Sequence, residues 1–293
     1  MVHWLKKRRP NMITLDVKTP KGSYPIIIED HVLKTINRFI DDKKQNLIIT
    51  DTGVPKQHID KVLSALNTDA IITVKEKEQS KSFETYEMII HTMQKRNYTK
   101  DTRIIALGGG VIGDLAGFVA STYLRGIEFY QVPTTLLSMV DSSIGGKVAI
   151  NTPYAKNSIG AFYFPKKVII DPTVLDTLPK REYNHGMAEV IKMALTSNKQ
   201  FFYDLSHHLL DRENIIFQSI KIKKQIVEKD PYDLHERHLL NFGHTIGHAL
   251  EQYHHYQYLH GECIAAGIKM MINNQPFASD IYKLLDFYQL NID

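Results

Sequence analysis

The sequence predicts an α/β N-terminal domain with a mostly parallel sheet, followed by an all-helical C-terminal domain. Up to Asp171, short apolar runs alternate with amphipathic stretches, which is the pattern of strands joined by helices. From Asn184 onward, apolar positions recur every three or four residues without strand-like alternation. The length of 293 residues suits two domains of roughly 150 residues each. We therefore expect two closely packed domains with a cleft between them.

The elements of the first domain follow one another in a regular order. Apolar runs at 12–17 and 24–28 flank a turn-rich segment and predict a hairpin. Further strands are predicted at 47–50, 70–74, 103–107, 127–132 and 168–171. Helical spacing covers 56–66 and 83–95, and in the second of these it places Phe83, Tyr86, Ile90 and Met93 on one face. We place a basic tail at 1–11, the α/β domain at 12–174 and the helical domain at 175–293.

The charge balance argues against a nucleic-acid-binding surface. The chain has 36 Lys and Arg against 32 Asp and Glu, a net charge of +4. Four of the basic residues lie in the tail before any acid, and they are Lys6, Lys7, Arg8 and Arg9. Without these four the balance is 32 to 32. We therefore expect no nucleic-acid partner for the folded body.

Membrane and secretory segments are also not expected. No apolar run approaches the about 18 residues of a membrane span. The basic tail is followed by Thr14, Asp16 and Lys18 rather than by the apolar core of a signal peptide. The single cysteine, Cys263, cannot form an internal disulfide. This favours a reducing, cytoplasmic location.

A glycine-rich segment between a predicted strand and a predicted helix is typical of dinucleotide sites. Residues Gly108 to Gly113 have Gly-x-Gly-x-x-Gly spacing, which lets the backbone approach a pyrophosphate at a helix start. A strand-to-helix turn packed closely for steric reasons is the alternative. Asp51, at the end of an earlier strand, is placed to hold a ribose diol.

A second glycine loop runs from Asp141 to Lys147 and differs from a Walker A loop. It lacks the glycine five residues before Gly146, and Val148 follows the lysine where a magnesium-binding Ser or Thr is needed. Backbone amides and one lysine still suit a substrate phosphate or carboxylate.

Histidines are concentrated near the end of the chain, where seven of the fourteen lie between His235 and His260. His244 and His248 are four residues apart and share a helix face. Thr245 stands where a zinc protease carries its glutamate base, which disfavours peptidase chemistry. Glu189 with two of these histidines is a zinc set with an open position. Ordinary surface or hydrogen-bonded core histidines are the alternative.

In this order and spacing, the motifs resemble those of the 3-dehydroquinate synthase family. The resemblance extends from about Met12 to Met271. It includes the blocks 108–114, 123–126, 133–137, 141–147, 156–157, 186–192, 237–244, 248 and 260–262. It implies an NAD-binding α/β domain, a helical domain and an active site in the cleft between them. It also implies zinc, with cobalt as a possible substitute, on Glu189, His244 and His260.

The resemblance assigns one set of residues to NAD and another to the phosphate, carboxylate and hydroxyl groups of the substrate. For NAD it implies Asp51, Glu78, Lys81, Gly110, Val111, Ile112, Gly113, Asp114, Thr134, Thr135, Lys147, Lys156 and Thr177. Around the substrate phosphate it implies Lys147, Asn157, Asn241, His248 and Arg125, the last reaching into a neighbouring subunit of a homodimer. For the substrate carboxylate it implies Arg237 and Lys223, and for the ring hydroxyls Asp141 and Lys192.

The implied reaction belongs to the shikimate pathway of aromatic amino acid biosynthesis. It converts a small sugar phosphate, 3-deoxy-arabino-heptulosonate 7-phosphate, into 3-dehydroquinate and phosphate, with transient NAD-dependent oxidation at C5. The alternatives are another sugar-phosphate cyclase, a metal-dependent polyol dehydrogenase, and a truncated, non-catalytic relative.

The sequence departs from the family pattern at two places. Asp230-Pro231-Tyr232-Asp233 replaces Asp-Glu-x-Glu, so we expect a loop of different shape, with Asp233 in place of a ring-facing glutamate. After Met271 the family continues with several tens of residues that include a basic phosphate contact. We therefore expect a helical domain shortened at its C-terminus and a phosphate pocket that lacks one wall.

Overall fold

The computed structural model describes residues 12–41, 43–255 and 257–292, so the basic tail at 1–11 lies outside the described residues. The strands are β1 (Ile13–Thr19), β2 (Gly22–Ile28), β3 (Gln45–Asp51), β4 (Ile71–Val74), β5 (Thr102–Gly108), β6 (Glu128–Pro133), β7 (Lys147–Ile150), β8 (Ile159–Phe162) and β9 (Lys167–Ile170). The helices are α1 (Lys56–Ala65), α2 (Phe83–Lys95), α3 (Gly110–Thr122), α4 (Lys180–Ser197), α5 (Lys199–Ser206), α6 (Arg212–Lys229), α7 (His244–Tyr253), α8 (His260–Ile272) and α9 (Ala278–Phe287).

Seven strands form one sheet in the order β1-β2-β9-β6-β5-β3-β4. Every neighbouring pair is parallel except the β1–β2 hairpin. All seven residues of β5 are buried, as expected for a central parallel strand covered on both faces. The predicted fold class is confirmed, and each strand of this sheet lies where an apolar run predicts it.

Two hydrophobic cores cover the two faces of the sheet. On one face, α2 and α3 pack over the strands through side chains such as Met93 and Leu115. On the other face, α1 and the helical domain share one continuous core that includes Val62 and Ile191. The predicted face of α2 is partly wrong, because Phe83 is exposed at the first turn.

The hairpin of β7 and β8 is absent from the sequence prediction. These two strands are antiparallel and pack against α3. Each has only four residues, and glycines at 145, 146 and 160 interrupt the apolar pattern. The hairpin matters because its loop, residues 151–158, reaches the helical domain.

Helices α4 to α9 confirm the helical second domain. Helices α7 and α8 pack closely because glycines lie at their contact: a Cβ on Gly267 would overlap the carbonyl oxygen of Gly243. This close approach brings the histidines of the two helices together. In the described parts of the chain, no helix combines the length and the apolar character that a membrane crossing requires.

Candidate active site

The carboxyl edge of the sheet brings the predicted cofactor residues side by side. Gly108 at the end of β5 pairs with Pro133 at the end of β6. Ile49 of β3 pairs with Ala106 of β5. Because the two strands are parallel, Asp51 and Gly108, each two residues later on its strand, also lie side by side. Because α1 and α3 pack on opposite faces of the sheet, the boundary between β3 and β5 is a topological switch point, which is where α/β sheets bind nucleotides.

The glycines of the first motif have two different explanations. A Cβ on Gly108 would lie 2.7 Å from the side chain of Ile112, and one on Gly113 would lie 2.7 Å from that of Gln131. Close packing therefore accounts for these two positions. At the start of α3 no side chain caps the helix, so the N–H groups of Gly110, Val111 and Ile112 lack intrahelical acceptors and suit an anion.

Other predicted cofactor residues surround this helix start. Lys81 Nζ lies 2.6 Å from Asp114 Oδ2 and 3.8 Å from Glu78 Oε1. Thr134 and Thr135 follow β6 directly. Asp51 accepts a hydrogen bond from the Gly53 amide at 2.8 Å, and burial raises the pKa of its carboxyl.

Thr177 lies at the end of a short 3₁₀ helix, Pro172–Thr177. Its hydroxyl oxygen lies 2.8 Å from His58 Nε2.

The predicted metal ligands come from three helices and meet in the cleft. Glu189 of α4 is buried, and its Oε1 has no hydrogen-bond partner among the described residues. That oxygen lies 3.8 Å from His244 Nε2 and 3.6 Å from His260 Nε2. One buried carboxylate oxygen thus faces two imidazole nitrogens with no other donor between them. This arrangement fits a divalent cation.

The ionisation of these ligands reflects their surroundings. Burial, helped by Lys192, lowers the pKa of His244 to about 4, so this imidazole is neutral. Burial alone would lower the pKa of His260, but the carboxylates of Glu189 and Glu251 outweigh it and raise that pKa to about 9. Burial would likewise raise the pKa of Glu189, yet Lys192 and the two imidazoles hold it well below its usual range.

The structure adds two residues to this centre. A nitrogen of His248 lies within 4.8 Å of nitrogens of His244 and His260, although His248 is largely exposed. The buried Glu251 places Oε2 3.3 Å from His260 Nδ1. Sequence reasoning missed Glu251, because an acid in a helix next to glutamine and tyrosine has the pattern of a surface residue.

Three predicted substrate-binding lysines are each paired with an acid. Lys192 pairs with Glu189, Lys223 with Asp141, and Lys147 with Asp233. The last two pairs join the α/β domain to the helical domain. The cleft therefore carries preformed cationic groups whose charge is balanced before any anion enters.

The segment with the unusual sequence, residues 230–237, positions Arg237. Asp230 ends α6, and its carboxylate accepts hydrogen bonds from the amides of Leu234, His235 and Arg237. Burial would raise the pKa of Asp230, but these donors outweigh it and lower it to about 2. The buried Arg237 donates from Nη1 to the Gly145 carbonyl at 3.2 Å.

The loop also contacts the β7–β8 hairpin. The rings of Tyr232 and Phe162 meet edge to face, with centroids 5.4 Å apart.

Three of the residues predicted to bind the phosphate are exposed at the surface or lie away from the paired lysines and Arg237 of the cleft. Asn157 and Asn241 are exposed, on the hairpin loop and at the end of a short 3₁₀ helix. Arg125 lies between α3 and β6, at the amino edge of the sheet. The length of β6, about 20 Å, separates it from the carboxyl edge. Within one chain, the structure therefore does not bring Arg125 to the site.

Comparisons with protein families cover most of the chain. Residues 71–185 match the family model described as 3-dehydroquinate synthase N-terminal, and residues 186–280 match 3-dehydroquinate synthase C-terminal. A 3-dehydroquinate synthase of Clostridium beijerinckii is 43% identical over 95% of this chain and 86% of its own length. Another, from Clostridium botulinum, is 44% identical over 89% of this chain and 79% of its own length.

Solved structures show the same fold. A 2-deoxy-scyllo-inosose synthase complexed with carbaglucose-6-phosphate, NAD+ and Co2+ superimposes with a TM-score of 0.85 at 28% identity. The superposition covers 95% of this chain and 82% of that one.

Proposed function

The chain belongs to the 3-dehydroquinate synthase family, and we propose that it is a lyase of the shikimate pathway. It converts 3-deoxy-arabino-heptulosonate 7-phosphate into 3-dehydroquinate and phosphate. The observation that carries the proposal is the unpaired Oε1 of Glu189 facing the Nε2 atoms of His244 and His260. These donors lie beside buried cations suited to a small polyanion.

The residues present fit a divalent metal and NAD. Glu189, His244 and His260 are the proposed ligands of zinc, and the start of α3 with Asp51 and Lys81 is the proposed NAD site. When bound, the metal lowers the pKa of a coordinated hydroxyl and NAD accepts and returns a hydride. This chain's residues position the substrate for that chemistry, exclude water and balance its charge.

Distinct parts of the cleft are proposed to hold the ends of the substrate. Arg237 and Lys223 bind the carboxylate, since both are buried cations close to each other, with Lys223 also paired with Asp141. Lys147, Asn157, Asn241 and His248 address the phosphate. Asp141 and Lys192 address ring hydroxyls, each already held by a salt bridge. Because Arg125 lies at the other edge of the sheet, we propose that it serves a second copy in a cytoplasmic homodimer.

The direct test is a reaction with the purified chain, the heptulosonate phosphate, NAD+ and zinc. We expect phosphate and dehydroquinate to form in equal amounts, with no net NADH, because the hydride returns to the substrate. Net NADH from a simple polyol phosphate would instead identify a dehydrogenase. Binding of NAD and zinc without any product would identify a non-catalytic relative.

The pH dependence of substrate binding tests the role of Lys223. Burial, aided by the nearby Arg237 and only partly opposed by Asp141, lowers the pKa of this lysine to about 8. The ammonium is therefore charged below pH 8 and loses its charge as the pH rises through that value. We expect KM to rise up to about tenfold by pH 9, one pH unit above this pKa.

The Lys223→Met variant is the matched comparison for this profile. Its KM should already be high at pH 7 and should change little up to pH 9. A wild-type KM that stays constant to pH 9, or an equal rise in the variant, would assign the profile to another group.

A further inference from the structure

Glu251 of α7 is a buried carboxylate to which the proposed reaction gives no role. It is 4% exposed. Its Oε2 lies 3.3 Å from His260 Nδ1, and its Oε1 lies 3.2 Å from Lys156 Nζ. The same carboxylate therefore contacts a proposed metal ligand of α8 and a lysine of the β7–β8 loop.

The two ring nitrogens of His260 face different carboxylates. Nε2 lies 3.6 Å from Glu189 Oε1, while Nδ1 lies 3.3 Å from Glu251. A carboxylate that accepts the Nδ1–H fixes the tautomer and leaves the Nε2 lone pair for a metal. The orientation of the ring is fixed by the same contact.

His244 shows the same arrangement with a different acceptor. Its Nδ1 lies 3.4 Å from the Phe242 carbonyl oxygen, and its Nε2 is the nitrogen that faces Glu189 Oε1. Both imidazoles thus direct Nε2 toward one unpaired oxygen while an oxygen acceptor holds Nδ1. For His260 the acceptor is a charged side chain, which makes a stronger hydrogen bond than a neutral carbonyl.

The contact with Lys156 explains how Glu251 keeps its position. Lys156 belongs to the loop between β7 and β8, and Glu251 belongs to the helical domain, so their ion pair spans the cleft. A buried carboxylate is stable only when it is paired. Lys156 therefore pairs with Oε1 of Glu251, while Oε2 faces His260.

We propose that Glu251 is a positioning residue that holds His260 with Nε2 directed at the metal. The proposal rests on the metal site assigned under the proposed function. It extends that site by one residue, which acts on the metal through His260, its nearer histidine at 3.3 Å compared with 3.9 Å for His248.

The test measures zinc affinity of the folded chain by competition with a chelator of known affinity. We expect Glu251→Ala to weaken zinc binding by about 10- to 100-fold, the usual effect of losing such a partner. Glu251→Gln, which retains an acceptor for Nδ1–H without the charge, should lose less. With Co2+ as the probe, the visible absorption of the metal should change in Glu251→Ala, whereas a merely structural residue would leave it unchanged.

Two further variants separate this role from general loss of a buried ion pair. Glu29 is also buried and paired, with Arg38 at 2.8 Å, so Glu29→Gln should keep wild-type zinc affinity. Lys156→Met breaks the ion pair with Glu251 but leaves the contact between Glu251 and His260 in place. This variant should change zinc affinity less than Glu251→Ala.

Wild-type zinc affinity and cobalt absorption in a folded Glu251→Ala chain would overturn the proposal. A wild-type chain that binds no zinc would instead contradict the metal site assigned under the proposed function.

Discussion

Replacing Glu189 with glutamine should abolish stoichiometric zinc binding and lower kcat/KM by about 10³-fold or more. A metal acting on a substrate oxygen supplies several kcal/mol of stabilisation, and each 1.36 kcal/mol is tenfold in rate. The buried Oε1 of Glu189 has no protein donor in the described structure, so its charge is available to a cation. The neutral amide removes that charge at the point where both imidazoles converge.

Stability must be measured beside activity, because the same substitution leaves Lys192 without its partner. Breaking a buried ion pair costs about 3–5 kcal/mol, and an unfolded variant would lose zinc trivially. Circular dichroism and thermal denaturation without metal show whether the variant is folded.

Glu262→Gln is the matched control for this experiment. Glu262 is a buried acid of α8 paired with Arg181 at 2.7 Å and 2.8 Å. We expect this control to lose stability while it keeps one zinc per chain. A folded Glu189→Gln variant that retains wild-type zinc affinity and turnover would contradict the assigned ligand set.

The sheet and the helical domain could be predicted because their signals are local. Each strand of the large sheet is a short apolar run bounded by turn residues, and a buried strand needs little else. The hairpin of β7 and β8 lacks that signal: four residues per strand and nearby glycines leave no pattern. Its strands are held by packing on α3, which is a tertiary effect.

The candidate site likewise has residues that local sequence patterns predict and contacts that they do not predict. Gly108 to Asp114 lie at a single strand-to-helix junction, and His244 and His248 lie four residues apart in α7, so candidate roles for these residues could be inferred before any geometry. The pairs of Lys147 with Asp233 and of Lys223 with Asp141 join residues 86 and 82 positions apart. No local sequence pattern indicates ion pairs between residues so far apart in the chain.

The loop at 230–233 combines a shared residue with changed ones. Asp230 keeps the family pattern, and its carboxylate accepts hydrogen bonds from three amides of the segment that carries Arg237. Among the changed positions, Asp233 forms an ion pair with Lys147, a long-range contact that the sequence pattern did not indicate.

Arg237→Met should raise KM for the heptulosonate phosphate and lower kcat/KM by about 10²- to 10³-fold. Removing one partner of a buried charge pair costs about 2–5 kcal/mol or more. Arg237 is 4% exposed and donates to the carbonyls of Gly145 and Pro231. Its buried guanidinium, with Lys223 nearby, suits a planar carboxylate.

The decisive comparison uses a competitive inhibitor that lacks the carboxylate, such as a carbocyclic hexose 6-phosphate. Its inhibition constant should be nearly the same for wild type and Arg237→Met, because it makes no contact with the guanidinium. Arg237→Lys keeps the charge but loses the planar fork. Its KM for the heptulosonate phosphate should lie between the values of wild type and Arg237→Met. Arg212→Met removes a partly exposed arginine paired with Asp176 and should change neither constant.

Two outcomes would assign Arg237 or the chain differently. Equal losses for both ligands would show that Arg237 supports the loop or the phosphate rather than the carboxylate. A wild type that binds the carboxylate-free ligand more tightly than the heptulosonate phosphate would favour another sugar-phosphate cyclase. The 2-deoxy-scyllo-inosose synthase of the same fold is itself complexed with carbaglucose-6-phosphate, a ligand without a carboxylate. We therefore propose that the two buried cations Arg237 and Lys223 determine the choice of substrate.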